Sequence, residues 1–255
     1  MPNLYALLIG INDYAGISKL SKAVDDANKM ESFLKKQLGS SLKLKKLTDS
    51  QATRNGIIHG FKHFKSAGSS DICLLYFSGH GSQVEPPSGW ESKYNEGDFE
   101  SVVCYDSRQA GGYDLVDKEL AYLIWENTRQ AGHLCVIMDC CHSGDNTREE
   151  DDVAGAIKTA APYLGDKDVS AYYGYNPGST YPPKRSHVLL AACQSNSTAR
   201  DGVFTSYLLH VLESDFDESY RSIFDKLKSK LSQNGIKQSP YLSSSGLESK
   251  VFLKN

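Results

Sequence analysis

Apolar and polar positions along the chain follow two rhythms. Continuous apolar runs of strand length occupy 4–11, 72–77, 135–138 and 187–193, and each ends in glycine or polar residues. Short apolar runs bounded in this way predict buried strands. Other segments carry apolar residues at helical spacing. Leu20, Val24, Ala27, Met30, Phe33, Leu34 and Leu38 predict a helix over 18–38, with Gly39 as its stop. Ile57, Ile58, Phe61 and Phe64 predict a second over 53–67. Leu120, Leu123 and Ile124 predict a third over 117–128, with Asp117 as a cap. Two more follow over 203–212 and 219–231. Leu42 and Leu44 alternate with polar residues, as in an edge-like strand. The stretch 83–112 reads as a long loop interrupted by a short strand at 101–105, and 251–253 as a strand closing the sheet edge. Strands alternating with helices predict an α/β fold with a mainly parallel sheet covered on both faces. No internal repeat or linker divides the chain.

Two of the apolar runs end in chemistry. One leads into Ser78-Gly79-His80-Gly81, the other into Asp139-Cys140-Cys141-His142-Ser143-Gly144. If these strands are parallel neighbours, about 4.8 Å apart, His80 and one thiol face each other where ligands bind in open α/β sheets. An imidazole beside a thiol generates a thiolate able to attack a carbonyl. His80 is the candidate base and later acid. Adjacent residues of a strand point to opposite faces, so one thiol serves. Its position beside His142-Ser143-Gly144 favours Cys141 and leaves Cys140 structural. His142 is one residue from the thiol and is badly placed as its base. Backbone N–H groups of Gly81 and Cys141 are candidates for an oxyanion hole. Asp139, at the end of an apolar strand, needs a partner for its carboxylate.

Composition narrows the setting. The 255 residues are enough for one large domain, and 23% of them are charged. The net charge of -3 gives no electrostatic case for nucleic acid or an anionic membrane. No run approaches the roughly 20 apolar residues of a membrane helix. The first residues lack the regions of a signal peptide. The six cysteines form no C-x-x-C pair, which argues against zinc and for free thiols in a reducing, cytoplasmic compartment. The pattern carries no signal for oligomeric state.

The strings at 76–83 and 139–144 resemble the two catalytic signatures of metacaspases and their prokaryotic relatives, the orthocaspases. Segments at 7–12, 20–27, 191–195 and 202–205 resemble other parts of that family, so the likeness spans nearly the whole chain. It implies a caspase–haemoglobinase fold with a six-stranded, mostly parallel sheet. A large part would cover about 1–147, an irregular connection 148–185 and a small part 186–255. It also implies a cysteine endopeptidase cleaving protein or peptide substrates after Arg or Lys. The residues matching the basic-specificity pocket are Asp26, Asp139 and Ser78. Buried carboxylates there would select a cation and repel an acid.

Enzymes of this kind are often zymogens that cut themselves in the connecting region. Arg148, Lys158, Lys167, Lys184 and Arg185 are the basic candidates, the other reading being a surface loop. Many relatives need calcium. The matching acids are Asp98, Glu100, Asp106, Asp114 and Asp117, but Lys118 and Arg148 stand where further acids are expected. Cations oppose a calcium shell, so no cofactor is expected. Two other functions fit the same residues: a silent binding module, opposed by the intact His80 and Cys141, and a thiol acyl hydrolase or transferase on another substrate, opposed by the acidic pocket.

Overall fold

The structure is a computed structural model. It describes residues 2–87, 97–141, 156–161, 171–175, 182–194, 198–243 and 246–254. His142, Arg148 and Lys167 lie outside these. The main sheet is built from β1 (Leu4–Gly10), β2 (Leu42–Thr48), β3 (Ile72–Ser78), β7 (His133–Asp139), β8 (Val188–Ala191) and β9 (Tyr241–Leu242). Their order is β2-β1-β3-β7-β8-β9. All pairs are parallel except β8 with β9. A smaller antiparallel sheet joins β4 (Gly81–Val84), β5 (Phe99–Val102) and β6 (Leu115–Val116).

The continuous apolar strands are explained by burial on both faces. Alternate residues Leu4, Ala6 and Leu8, Ile72, Leu74 and Tyr76, and Cys135 and Ile137 enter one core cluster. It is completed by α1 (Ala23–Leu38), α4 (Phe204–Asp215) and α5 (Tyr220–Gln233). The intervening Leu7 and Ile9, Leu75 and Phe77, and Val136 and Met138 enter a second cluster. There α2 (Arg54–Phe61) and α3 (Asp117–Thr128) cover the sheet. Period-two alternation therefore separates two helical layers. Among the described residues no helix is long and apolar enough to cross a membrane.

Several boundaries differ from expectation. The first helix starts at Ala23 because residues before it are tied elsewhere. The Leu20 N–H bonds the Asn12 carbonyl at 3.0 Å, and Asp201 accepts the Ser21 and Lys22 N–H groups at 2.7 and 2.8 Å. The second helix ends at Phe61 and tightens into a 3-10 turn, Lys62–Ser66. Asp117 is the first residue of its helix and not its cap. The preceding Val116 N–H is satisfied by Glu119, at 3.2 Å. The short strand expected at 101–105 lies at Phe99–Val102, and the loop expected from residue 83 begins later, because β4 runs to Val84 in pairing with β5. Tyr241–Leu242, not 251–253, closes the sheet edge; Val251 makes only a bridge to Ser219.

Candidate active site

The register of β3 on β7 pairs Ser78 with Asp139. His80 and Cys141 each stand two residues beyond that pair, so both leave the sheet at the same end and on adjacent strands. Cys140 and Cys141 pack into opposite core clusters, as alternation requires. All six cysteines are buried, and none is paired in a disulfide.

His80 is held from several sides. Its N–H donates to the Tyr14 hydroxyl at 2.8 Å, and its ring lies against Tyr14 with centroids 4.8 Å apart. Nε2 lies 2.9 Å from the Ser18 carbonyl oxygen. A carbonyl only accepts, so Nε2 carries the proton and Nδ1 keeps its lone pair. Among the described residues Nδ1 has no hydrogen-bond partner. Burial lowers the imidazole's pKa below its ordinary value, opposed by the Ser18 bond. The neutral form is therefore favoured. Gly79 permits the approach of Tyr14: a Cβ there would lie 2.4 Å from its hydroxyl oxygen.

The described residues 156–161 run through this crevice. The Lys158 carbonyl accepts from the N–H groups of both Gly81 and Cys141, each at 3.1 Å. These are the two donors expected of the oxyanion hole. On one side, the Lys158 N–H donates to Ala199 and the Asp201 N–H to Ala156, at 2.9 and 2.8 Å. Ile157 forms an antiparallel bridge with Arg200. On the other side, Thr159 forms a parallel bridge with Gly81, and the Ala160 N–H donates to the Gly81 carbonyl at 2.9 Å. The segment thus crosses the crevice on isolated bridges and main-chain bonds to both sides, with Lys158 and Thr159 buried.

The Lys158 side chain is fully buried among the residues expected to select a cation. Its Nζ lies 2.7 Å from Ser78 Oγ, 3.0 Å from Asp139 Oδ1 and 3.4 Å from Asp26 Oδ2. Asp201 adds a third carboxylate at 3.9 Å. Burial alone would discharge the lysine, but Asp139, Asp26 and Asp201 outweigh it and hold its pKa above the ordinary value. Burial and repulsion from Asp139 push Asp26 up to about 7, although Lys158 pulls it down. Three buried carboxylates around one ammonium cannot all ionise cheaply. Asp139 is further anchored by Thr205, whose hydroxyl and N–H donate to Oδ2 at 2.6 and 3.3 Å.

Sequence reasoning missed Asp201, Thr205, Tyr14 and Ser18. Each is brought in by tertiary packing, and no local spacing marks it. Arg185 is placed away from the crevice: its guanidinium donates to the Ala131 carbonyl, at the opposite end of β7. Lys184 is exposed beside it. Of the acids considered for calcium, Asp114 faces Arg108 and Ser101, each at 3.0 Å. Asp106 accepts the Arg54 N–H at 2.8 Å, and Asp117 pairs with Lys118 at 2.8 Å. Asp98 and Glu100 precede and enter β5. Among the described residues no group of three or more histidine, cysteine or acidic side chains is arranged to hold a metal. A cavity of about 820 Å³ opens elsewhere, between α3 and β8, lined by Leu75, Val136, Met138 and Leu189. Residues 156–161 occupy the crevice beside His80 and Cys141.

A family model described as the caspase domain matches residues 3–252. Metacaspase-1 of Candida albicans is 26% identical over an alignment covering 94% of this chain and 64% of that protein. Metacaspase-1A of Aspergillus fumigatus is 32% identical over 54% of this chain and 34% of its own length. The chain thus spans less than two thirds of these curated relatives. A crystal structure of a Geobacter sulfurreducens protein superposes with a TM-score of 0.70, covers all of both chains and is 21% identical.

Proposed function

Because the chain belongs to the caspase domain family, we propose that it is a cysteine endopeptidase that cleaves after Lys or Arg and first cuts itself after Lys158. One observation carries this reading. The Lys158 carbonyl accepts from Gly81 and Cys141 while its ammonium fills a slot of buried acids. In this reading the Lys158–Thr159 peptide bond is the one that Cys141 and His80 cut.

In this mechanism His80 Nδ1 takes the proton from Cys141 Sγ, and the thiolate attacks the Lys158 carbonyl carbon. The oxygen gains negative charge, held by the Gly81 and Cys141 N–H groups. The bond to the Thr159 nitrogen breaks, and His80 returns its proton to that amine. Water, activated by His80, then attacks the thioester and frees the Lys158 carboxylate and the Cys141 thiol. Before the cut, segment 156–161 blocks the crevice and the chain is a zymogen. Its departure vacates the slot of Asp26, Asp139, Asp201 and Ser78 for the Lys or Arg of a substrate. Calcium is not required in this reading. The protein partners of Asp106, Asp114 and Asp117 support that view, since ligands must be free to turn to an ion. Buried cysteines outside any disulfide favour a reducing, cytoplasmic setting.

Fluorogenic peptides ending in Arg, Lys and Asp, offered to wild type, Cys141→Ala and Cys140→Ala, test the activity. Turnover of the basic peptides, lost only in Cys141→Ala, is expected. No turnover of any peptide would favour a binding module. Mass spectrometry of the wild type should reveal a new N-terminus at Thr159, absent from Cys141→Ala. Fragments in both proteins would refute self-cleavage.

A further inference from the structure

The residues after Lys158 are gripped as closely as those before it. Ser82 Oγ lies 3.2 Å from the Ala160 carbonyl oxygen and 2.9 Å from that of Ala161. Arg108 Nη2 donates to the Ala161 carbonyl and to Ser82 Oγ, each at 3.1 Å. The guanidinium is itself fixed by the buried Asp114 at 3.0 Å, which also accepts from Ser101. With the parallel bridge at Gly81, these contacts hold three consecutive residues beyond the Lys158 carbonyl. All of them address main-chain atoms, which every peptide offers.

The side chains here are treated differently. Thr159 and Ala160 are 7% and 6% exposed, whereas Ala161 is exposed. Space at the first two positions is therefore small, and the third position is open. None of the acid-slot residues takes part.

We propose that β4 and Arg108 form a second substrate subsite, one that binds the leaving-group side of the peptide. This rests on the reading that Lys158 occupies the cleavage position. The ligand is an extended peptide with small residues at the first two positions after the cleaved bond and a free carbonyl at the third. Ser82 supplies the hydroxyl contact. Arg108, oriented by Asp114, supplies a charge-assisted one, which is stronger than a neutral hydrogen bond. Short substrates lacking these residues forgo that binding, and so the site favours cuts inside a chain over cuts near its end.

The test compares acyl-Ala-Ile-Lys carrying an aminocoumarin, Thr-amide or Thr-Ala-Ala-amide after the lysine. Cleavage by the self-processed wild type is followed by chromatography. Each charge-assisted bond lost costs roughly tenfold or more. The Thr-Ala-Ala peptide should therefore show kcat/KM about tenfold above the Thr-amide, and replacing its Ala-Ala by Phe-Ala should remove the advantage. Ser82→Ala removes a neutral bond and leaves the Arg108–Asp114 pair intact, so it should shrink the ratio between the extended peptide and the coumarin about fivefold. Arg108→Lys should shrink it as well. Equal kcat/KM for the two amides, or an unchanged ratio in Ser82→Ala, would overturn the subsite while basic-residue cleavage stood. Failure to turn over every peptide, coumarin included, would overturn the underlying reading and the subsite with it.

Discussion

Removing the ammonium of Lys158 probes how tightly the chain closes its own crevice. Lys158→Ala leaves Asp139, Asp26 and Asp201 facing one another without a cation, where distances of 3.0, 3.4 and 3.9 Å now bind it. Deleting one partner of a buried ion pair costs about 3–5 kcal/mol. Water can enter the vacated slot once the segment lifts, so the lower end, about 3 kcal/mol, applies here. That weakens segment docking by roughly 100-fold. The main-chain bonds of residues 156–161 survive the substitution, so this is the side chain's share alone. A competitor's apparent affinity scales with the fraction of molecules whose site is open. Both proteins are made in the Cys141→Ala background, where no cut occurs. Fluorescence anisotropy then measures binding of a labelled Lys-ending peptide. The double variant should bind up to roughly 100-fold tighter than Cys141→Ala alone, and Lys158→Arg should restore closure. Equal affinity in the single and double variants would refute the claim that this lysine holds the crevice shut.

Further outcomes follow from the same site. With a lysine in the slot Asp26 is pushed up to about 7, and without that ammonium to pull it down it lies higher, so KM for Lys peptides should rise as pH falls toward about 7 and level off below it; Asp26→Asn should flatten that rise. The His80 imidazole, lowered by burial, must be neutral to act as base, so the acid limb of kcat should lie below pH 6.5. Thr205→Val removes the 2.6 Å bond to Asp139, and steady-state kinetics should give a KM for basic peptides about tenfold higher. Gly79→Ala drives a methyl against the Tyr14 hydroxyl and should lower unfolding stability by about 1–3 kcal/mol in urea, with Tyr14→Phe partly restoring it.

Much of the frame was legible in the residues alone. Runs such as 72–77 and 135–138 were apolar because helices cover both faces, and the helical spacing of Ala27, Met30, Phe33 and Leu34 marked the side that packs. Glycine and polar residues at the strand ends marked where the chain turns, and the His80 and Cys141 strings stood out there. Misplaced boundaries were of one kind. Residues 18–22 and 251–253 have the right local composition, but their hydrogen bonds run to distant partners.

Sequence by itself determined the strands, most of the helices and the residue types at the crevice, because periodicity and turn chemistry act between residues a few positions apart. Only the tertiary structure decided that Lys158, one of several basic residues in an irregular stretch, fills the acid slot. It also brought Asp201 to the start of α1, across 180 positions of chain. Such choices depend on which buried charges and main-chain groups find partners once the sheet has assembled. That balance is struck between distant segments, and no local pattern records it.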